Sequence, residues 1–197
     1  MVKASAPGKC ILFGEHAVVY GQPALACSID QRMIIEIESE KTFNAWRVDG
    51  RTLDGKKHPH IEYIRTRLSP HDGQPMRIRI RGTIPKASGL GSSAALSVAL
   101  CGALQQIRNE AIDPVHASVL SHLAEAEAQG GRASPMDTAT SSLGGFVVLS
   151  DAIEESLDYI ETRTMDVNGE TRQWHLHTFN AQIPEGVALV VGNTGVR

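Results

Sequence analysis

The sequence predicts a globular protein built from both strands and helices, with strands in the first part of the chain and again after residue 144. Apolar and alternating runs fill the first third of the chain and return after residue 144, and two segments between them have helical length and composition. Hydrophobic residues make up 42% of the 197 residues and charged residues 21%, which is typical of a soluble protein with a packed core. This length suits one large domain, or one domain joined to part of another.

The early strands are predicted from short apolar runs at residues 10–13 and 24–29 and from partial alternation over 32–38. Residues 76–81 alternate strictly between apolar and basic side chains before Gly82, which predicts a half-buried strand. These segments predict that a sheet forms from the N-terminal part of the chain.

Helices are predicted at residues 60–68 and 94–107 and in a segment that runs to about residue 129. The last of these begins with Asp113 as N-cap and Pro114 as first helical residue, and Gly130 and Gly131 end it. We expect a loop over residues 132–140, followed by strands at 144–149, 171–179 and 187–191.

Charge and cysteine content exclude several classes of protein. The net charge is −3 and no run of Lys or Arg could track a nucleic-acid backbone, so no nucleic-acid partner is expected. The start lacks a signal sequence and no apolar run reaches the roughly 18 residues of a membrane span, so we expect a cytoplasmic protein without a membrane partner. Cys10, Cys27 and Cys101 are odd in number and widely spaced, which favours reduced core thiols over a disulfide or zinc framework.

A loop of small residues precedes the helix predicted at 94–107. Its residues, Ser88-Gly89-Leu90-Gly91-Ser92-Ser93, would let backbone N–H groups approach an anion, and the following helix adds the positive end of its dipole. The sequence has neither the GxxxxGK[ST] pattern of a P-loop nor a dinucleotide-binding GxGxxG pattern. Composition alone leaves two interpretations open, a phosphate site or a Gly-rich turn before a core helix.

Residues 85–95, PKASGLGSSAA, resemble the second sequence motif of the GHMP kinase family, which wraps the phosphates of ATP. The family usually has Gly or Ala at the positions of Lys86 and Ser88. The resemblance implies that the whole segment binds ATP, namely Pro85, Lys86, Ala87, Ser88, Gly89, Leu90, Gly91, Ser92, Ser93, Ala94 and Ala95.

A second motif near the N-terminus points to the mevalonate kinase branch of that family. Residues 6–21, APGKCILFGEHAVVYG, place a Lys before an apolar strand and a Glu-His pair after it, and they resemble the signature of this branch. The resemblance implies that Lys9 lies close to the reacting hydroxyl, where a cation favours the alkoxide-like form, and that Glu15 and His16 help to bind the acceptor.

Phosphoryl transfer needs Mg²⁺ to neutralise phosphate charge and a carboxylate that orients or deprotonates the acceptor. Residues 134–141, SPMDTATS, resemble the family segment whose Asp is the proposed base, so the resemblance assigns that role to Asp137 and also places it in the substrate site. It places the metal ligand about a dozen residues upstream, which fits Glu125 together with Ser93. Glu127 remains the alternative, although it would point roughly 200° away from Glu125 around a regular helix.

Taken over residues 1–197, the resemblance implies the α+β N-terminal domain of the family, a mixed or antiparallel sheet with helices on one side, of the ribosomal protein S5 domain 2 type. The connection to a C-terminal domain, which this chain lacks, would begin near residues 190–197. The implied activity is phosphorylation of mevalonate with Mg²⁺ and ATP, and a homodimer is one candidate assembly. The alternatives are a kinase of another small alcohol and a module that binds ATP without catalysis.

Overall fold

The computed structural model describes residues 1–15, 20, 22–85, 88–131, 133–167 and 169–192. Its elements in chain order are β1 (Val2–Phe13), β2 (Ala24–Ser39), β3 (Arg47–Val48), β4 (Arg51–Thr52), α1 (Pro59–Leu68), β5 (Met76–Gly82), α2 (Ser92–Ile107), α3 (Pro114–Ala128), α4 (Met136–Leu143), β6 (Phe146–Ser150), β7 (Asp158–Val167) and β8 (Glu170–Phe179).

The long strand β2 is the centre of one mixed sheet. Its first edge pairs antiparallel with β1, and its second edge is shared by β6, opposite residues 24–27, and β5, opposite residues 33–39. β8 and β7 extend the sheet beyond β6, and β3 and β4 extend it beyond β5. All pairs are antiparallel except β3 with β5, so the sheet is mixed as the sequence predicts.

Alternation along β2 and β5 gives this part of the sheet one apolar and one charged face. Ile35, Ile37 and Ile78 are fully buried, whereas Glu38 lies opposite Arg77 on the other face. The Arg77 guanidinium is 3.4 Å from the Glu38 carboxylate and also bonds Glu40. The charged face can remain in contact with water, whereas the apolar face must be covered. The helices therefore pack on the apolar side of this part of the sheet.

The helices form where the sequence places their caps and apolar residues. The Asp113 carboxylate accepts the His116 backbone N–H at 3.0 Å, so Asp113 caps α3 as predicted. α1 buries Ile61, Ile64 and Leu68 at helical spacing against the core. α2 is buried around most of its circumference, which explains its Ala, Leu and Val content.

Two hydrophobic clusters form the interior. The larger one lies between β1, β2, β5 and helices α1, α2 and α3, and it includes Ile35, Leu100, Leu104 and Leu120. The smaller one joins α4 to strands β2, β6 and β8 through Met136, Ala139, Val147, Leu149 and Leu176. Cys27 and Cys101 are buried thiols, and burial raises the pKa of Cys101 to about 12. No helix in the described part of the chain is long and apolar enough to cross a bilayer.

Two predictions from the sequence are wrong. The loop predicted over 132–140 contains the start of α4, which begins after Pro135 because the proline φ of −73° suits a helix start. The Thr140 hydroxyl donates to the Met136 carbonyl at 2.8 Å, so a polar side chain stays inside the helix. The strand predicted at 187–191 does not form, and its side chains are exposed, because no strand of the described chain lies beside it to share hydrogen bonds.

Candidate active site

An ion pair between β1 and α4 lies at the centre of the candidate site. The Lys9 Nζ is 3.0 Å from the Asp137 Oδ1. Lys9 is 5% exposed, so its ammonium is held away from water and depends on this carboxylate for its charge partner. The Asp137 side chain is 34% exposed and lies in the first turn of α4, where the helix dipole favours a negative charge. A solvent-facing carboxylate therefore lies beside a buried cation.

The glycine loop, residues 88–93, packs directly against Lys9. The Lys9 backbone N–H donates to the Leu90 carbonyl at 3.0 Å, which fixes the loop on β1. Gly91 has a φ of +70°, and a Cβ there would lie 2.8 Å from the Lys9 Cγ. Only glycine satisfies both the backbone conformation and this close approach, so the loop and the lysine are positioned together.

The N-terminus of α2 faces the site without a side-chain cap. Its N-cap is Gly91, which has no side chain to accept a hydrogen bond from the first turn. The Ser93 hydroxyl donates to the Glu125 Oε1 at 2.9 Å. Because the first N–H groups of a helix have no partner within the helix, those of α2 can bind an anion.

Glu125 is a buried carboxyl group next to the ion pair. Its residue is 4% exposed, and burial raises its pKa to about 7, with the Asp137 charge adding to the increase. The Ser93 hydroxyl and the Lys9 charge oppose this increase without cancelling it. Glu127 is exposed and faces away, so the structure places Glu125, and not Glu127, at the site.

The remaining candidates are distributed unevenly. Ala94 and Ala95 are fully buried in α2, so only their backbone groups could contribute to a phosphate site. The Ser88 hydroxyl donates to the Pro85 carbonyl at 2.8 Å and closes the outer half of the loop. Glu15 is exposed in the turn after β1 and makes no ion pair with any described residue. His16, Lys86 and Ala87 lie outside the described residues.

The donor set fits a divalent ion that shares its ligands with a substrate. The described residues contain no group of three or more His, Cys, Asp or Glu side chains that could hold a metal alone. The Ser93 hydroxyl and the Glu125 carboxylate provide oxygen donors 2.9 Å apart beside the free N–H groups of α2. Mg²⁺ binds to proteins through one or two carboxylates together with substrate phosphates, and these residues fit that pattern.

Reasoning from the sequence did not find His122, one turn before Glu125 on α3. Its side chain is fully buried, and its Nε2 lies 3.0 Å from the Ala133 carbonyl. The only signal was a histidine within an apolar, Ala-rich helix, which is usually a core residue. The structure shows that it connects α3 to the segment before Asp137.

Comparison with known proteins identifies similar sequences. Residues 59–145 match the family model described as GHMP kinases N terminal domain. Mevalonate kinase of Methanothermobacter thermautotrophicus is 39% identical over 177 residues, which cover 85% of this chain and 58% of that protein. Mevalonate kinase of Archaeoglobus fulgidus is 38% identical over 144 residues, which cover 72% of this chain and 50% of that protein.

A similar fold is found in a solved structure. The Methanococcus jannaschii mevalonate kinase superposes with a TM-score of 0.66 at 27% identity and covers 76% of this chain and 53% of that one. This chain thus spans about half the length of the relatives that it matches.

Proposed function

Because this chain contains the N-terminal domain of the GHMP kinases, we propose that it contributes to a site that phosphorylates mevalonate with ATP. The products would be 5-phosphomevalonate and ADP. The observation that carries the proposal is the Lys9–Asp137 pair, 3.0 Å apart, beside an uncapped helix N-terminus. The names of the archaeal relatives support mevalonate as acceptor over other small alcohols.

The triphosphate would bind at the glycine loop and the start of α2. Backbone N–H groups of residues 92–94 have no partner in the helix, and the helix dipole adds partial positive charge at the same point. Gly89 and Gly91 both adopt left-handed conformations, which bring the backbone rather than a side chain to the surface of the loop. The loop thus binds phosphate through its backbone.

Ser93 and Glu125 would hold Mg²⁺. When bound, this ion neutralises charge on the phosphates during transfer. The raised pKa of Glu125, about 7, means that the carboxyl group gives up a proton when it becomes a metal ligand near neutral pH. Ser93 already bonds Glu125, which holds the carboxyl group in one orientation before the ion binds.

Asp137 would accept the proton of the acceptor hydroxyl as its oxygen attacks the γ-phosphorus and the bond to ADP breaks. The carboxylate is partly open to solvent, so an acceptor can reach it. The Lys9 ammonium beside it stabilises the negative charge that develops on the attacking oxygen. Glu15 and His16, which follow β1 in the sequence, are proposed to contact the acceptor.

We further propose that residues 1–197 form one ATP-binding domain whose connection to the rest of the enzyme lies near residues 190–197. The proposed surroundings are the cytoplasm, and the proposed partners are the small molecules ATP and mevalonate. A homodimer is the proposed assembly to be tested by size-exclusion chromatography with light scattering.

An ADP-release assay tests the function. The intact natural protein and residues 1–197 alone would be incubated with Mg²⁺, ATP and either mevalonate or a panel of other small alcohols. We expect ADP release by the intact protein that depends on mevalonate. Turnover with a different alcohol would show that mevalonate is not the acceptor. Nucleotide binding without any turnover would identify a non-catalytic ATP-binding module.

A further inference from the structure

Among the described residues, the side chain of His122 makes one hydrogen bond, which connects two parts of the candidate site. Its ring is fully buried, and its Nε2 lies 3.0 Å from the Ala133 carbonyl oxygen. A carbonyl only accepts, so the ring must carry its proton on Nε2 and donate. Burial lowers the pKa of His122 to about 4, which keeps the imidazole neutral under ordinary conditions. The tautomer is therefore set by the contact itself.

The ring is held from the other side as well. Trp174 on β8 meets it edge-on, with ring centroids 5.9 Å apart. Trp174 packs against the smaller cluster, which contains Met136 at the start of α4. Arg163 on β7 is a charged group near this ring, and its guanidinium bonds the Ser118 carbonyl and hydroxyl on α3. The His122 side chain thus extends from α3 into the space between the β7–β8 hairpin and the segment before α4.

The hydrogen bond between His122 and Ala133 lies close in the chain to two residues of the candidate site. Glu125 lies one turn after His122 on α3, and Asp137 lies four residues after Ala133. Between Ala133 and Asp137 the chain passes through Pro135, whose carbonyl accepts the Ala139 N–H at 2.9 Å in the first turn of α4. Ala133 is itself buried, so its carbonyl has no water to replace the imidazole. Loss of the bond would release the start of α4 relative to α3.

We propose that His122 is a positioning residue, which holds Asp137 against Lys9 and at a fixed distance from Glu125 by donating to the Ala133 carbonyl. It touches neither substrate nor metal in this role. This inference rests on the proposed kinase function for its kinetic consequences, whereas its structural consequences can be measured without turnover.

The kinetic test compares His122→Phe and His122→Gln in the intact natural protein. Phenylalanine keeps a planar ring and removes the donor, whereas the glutamine amide can place an N–H near the position of Nε2. A displacement of about 1 Å costs about 100-fold in rate, so we expect His122→Phe to lower kcat by about 10- to 100-fold. KM for ATP should change less than about twofold, because the loop and α2 do not depend on this bond, and His122→Gln should recover most of the activity.

Leu120→Ala is the matched control, since Leu120 is a buried residue of α3 in the larger cluster, whereas Met136 at the start of α4 belongs to the smaller one. Leu120→Ala should destabilise the fold about as much as His122→Phe does, but it should leave kcat within about twofold of the parent. A kcat for His122→Phe within twofold of the parent, no recovery in His122→Gln, or an equal loss in Leu120→Ala would each overturn the proposal.

A second measurement is independent of the acceptor and of turnover. In the parent protein, long-range ¹H–¹⁵N NMR should show the Nε2–H tautomer of His122. In His122→Phe, but not in Leu120→Ala, hydrogen exchange at the Ala139 amide should be at least about tenfold faster than in the parent. An Nδ1–H tautomer or unchanged exchange would refute the positioning role. An inactive parent protein with these NMR results intact would instead refute only the kinase function.

Discussion

Asp137 combines two properties at the scale of one residue, access to solvent and contact with a buried cation. We therefore expect Asp137→Asn in the intact protein to lower kcat by about 10²- to 10⁴-fold, the range of a general base. The nearly isosteric amide should leave ATP affinity almost unchanged, because the proposed phosphate contacts lie on α2. Steady-state kinetics and nucleotide titration measure both quantities.

The same substitution leaves the Lys9 ammonium without its charge partner. Partial exposure of Asp137 moderates this cost, so the free energy of unfolding should fall by only about 1–3 kcal/mol. Asp151→Asn, in an exposed turn after β6, is the control and should change neither kcat nor the free energy of unfolding. An Asp137→Asn enzyme with parental kcat would remove Asp137 from the role of base.

Glu125 predicts a pH dependence of stability. Its pKa rises from 4.5 in the unfolded chain to about 7 in the fold, so the native state holds a proton that the unfolded state has released between these values. Stability is therefore greatest below pH 4.5 for this group and is lost as pH rises to about 7, by about 1–3 kcal/mol. Chemical denaturation at pH 5 and pH 8 without Mg²⁺ or ATP would measure the difference.

Two glutamine variants isolate that contribution. Glu125→Gln cannot ionise and should remove the loss of stability, so its unfolding free energy should exceed that of the parent at pH 8. Glu127→Gln, two positions away and exposed, should keep the parental pH dependence. An identical pH dependence in the parent and in Glu125→Gln would show that Glu125 is not the titrating group.

At the scale of elements, the glycine loop makes a comparison possible between two left-handed glycines. Gly89 has a φ of +74° and a Cβ added there would have no atom within 4 Å, whereas Gly91 has a φ of +70° and abuts Lys9. Alanine at Gly89 should cost about 1–2 kcal/mol from backbone strain alone. At Gly91 the contact with the Lys9 Cγ should add about 1–3 kcal/mol.

The kinetic difference between these variants should be larger than the difference in stability. Gly91→Ala displaces Lys9 from Asp137 and should lower kcat, whereas Gly89→Ala should chiefly weaken ATP binding. Thermal unfolding and steady-state kinetics of both variants measure this. Equal kcat values in the two would show that the loop does not position the lysine.

The elements that could be predicted from sequence are those whose signals are local. Strict alternation over residues 76–81 predicted β5, and an N-cap before a proline predicted the start of α3. α4 was missed because its Thr and Ser residues favour loops on average, and it forms through hydrogen bonds such as that of Thr140 and by burying Met136 and Ala139. Those tertiary contacts leave no periodic signal in eight residues.

The same distinction applies to the candidate site. Lys9, Ser93, Glu125 and Asp137 were identified through motif resemblance, and the structure brings their side chains together. His122 belongs to no motif, and its partner is a backbone carbonyl eleven residues away, which any residue type could supply. A contact of this kind cannot be read from residue identities.

At the scale of the whole molecule, the site lies where the two hydrophobic clusters meet. β1 contributes Ala6 to the larger cluster and packs Ile11 against the smaller one, and Lys9 lies between these positions. α2 and α3 are fixed by the larger cluster, whereas α4 is held by both α3 and the smaller cluster. Glu125 and Asp137 therefore lie on helices that belong to different clusters.

An apolar side chain stabilises this molecule only where other elements cover it. Leu104 is fully buried in the larger cluster, whereas Leu189 is 49% exposed in the segment wrongly predicted as a strand. In residues 1–197, Leu104→Ala should lower the free energy of unfolding by about 2–5 kcal/mol, and Leu189→Ala should change it by less than about 0.5 kcal/mol. Urea denaturation of both variants measures these changes. A loss of more than about 1 kcal/mol of unfolding free energy in Leu189→Ala would show that residues 187–191 pack against the domain, because exposed side chains rarely contribute that much.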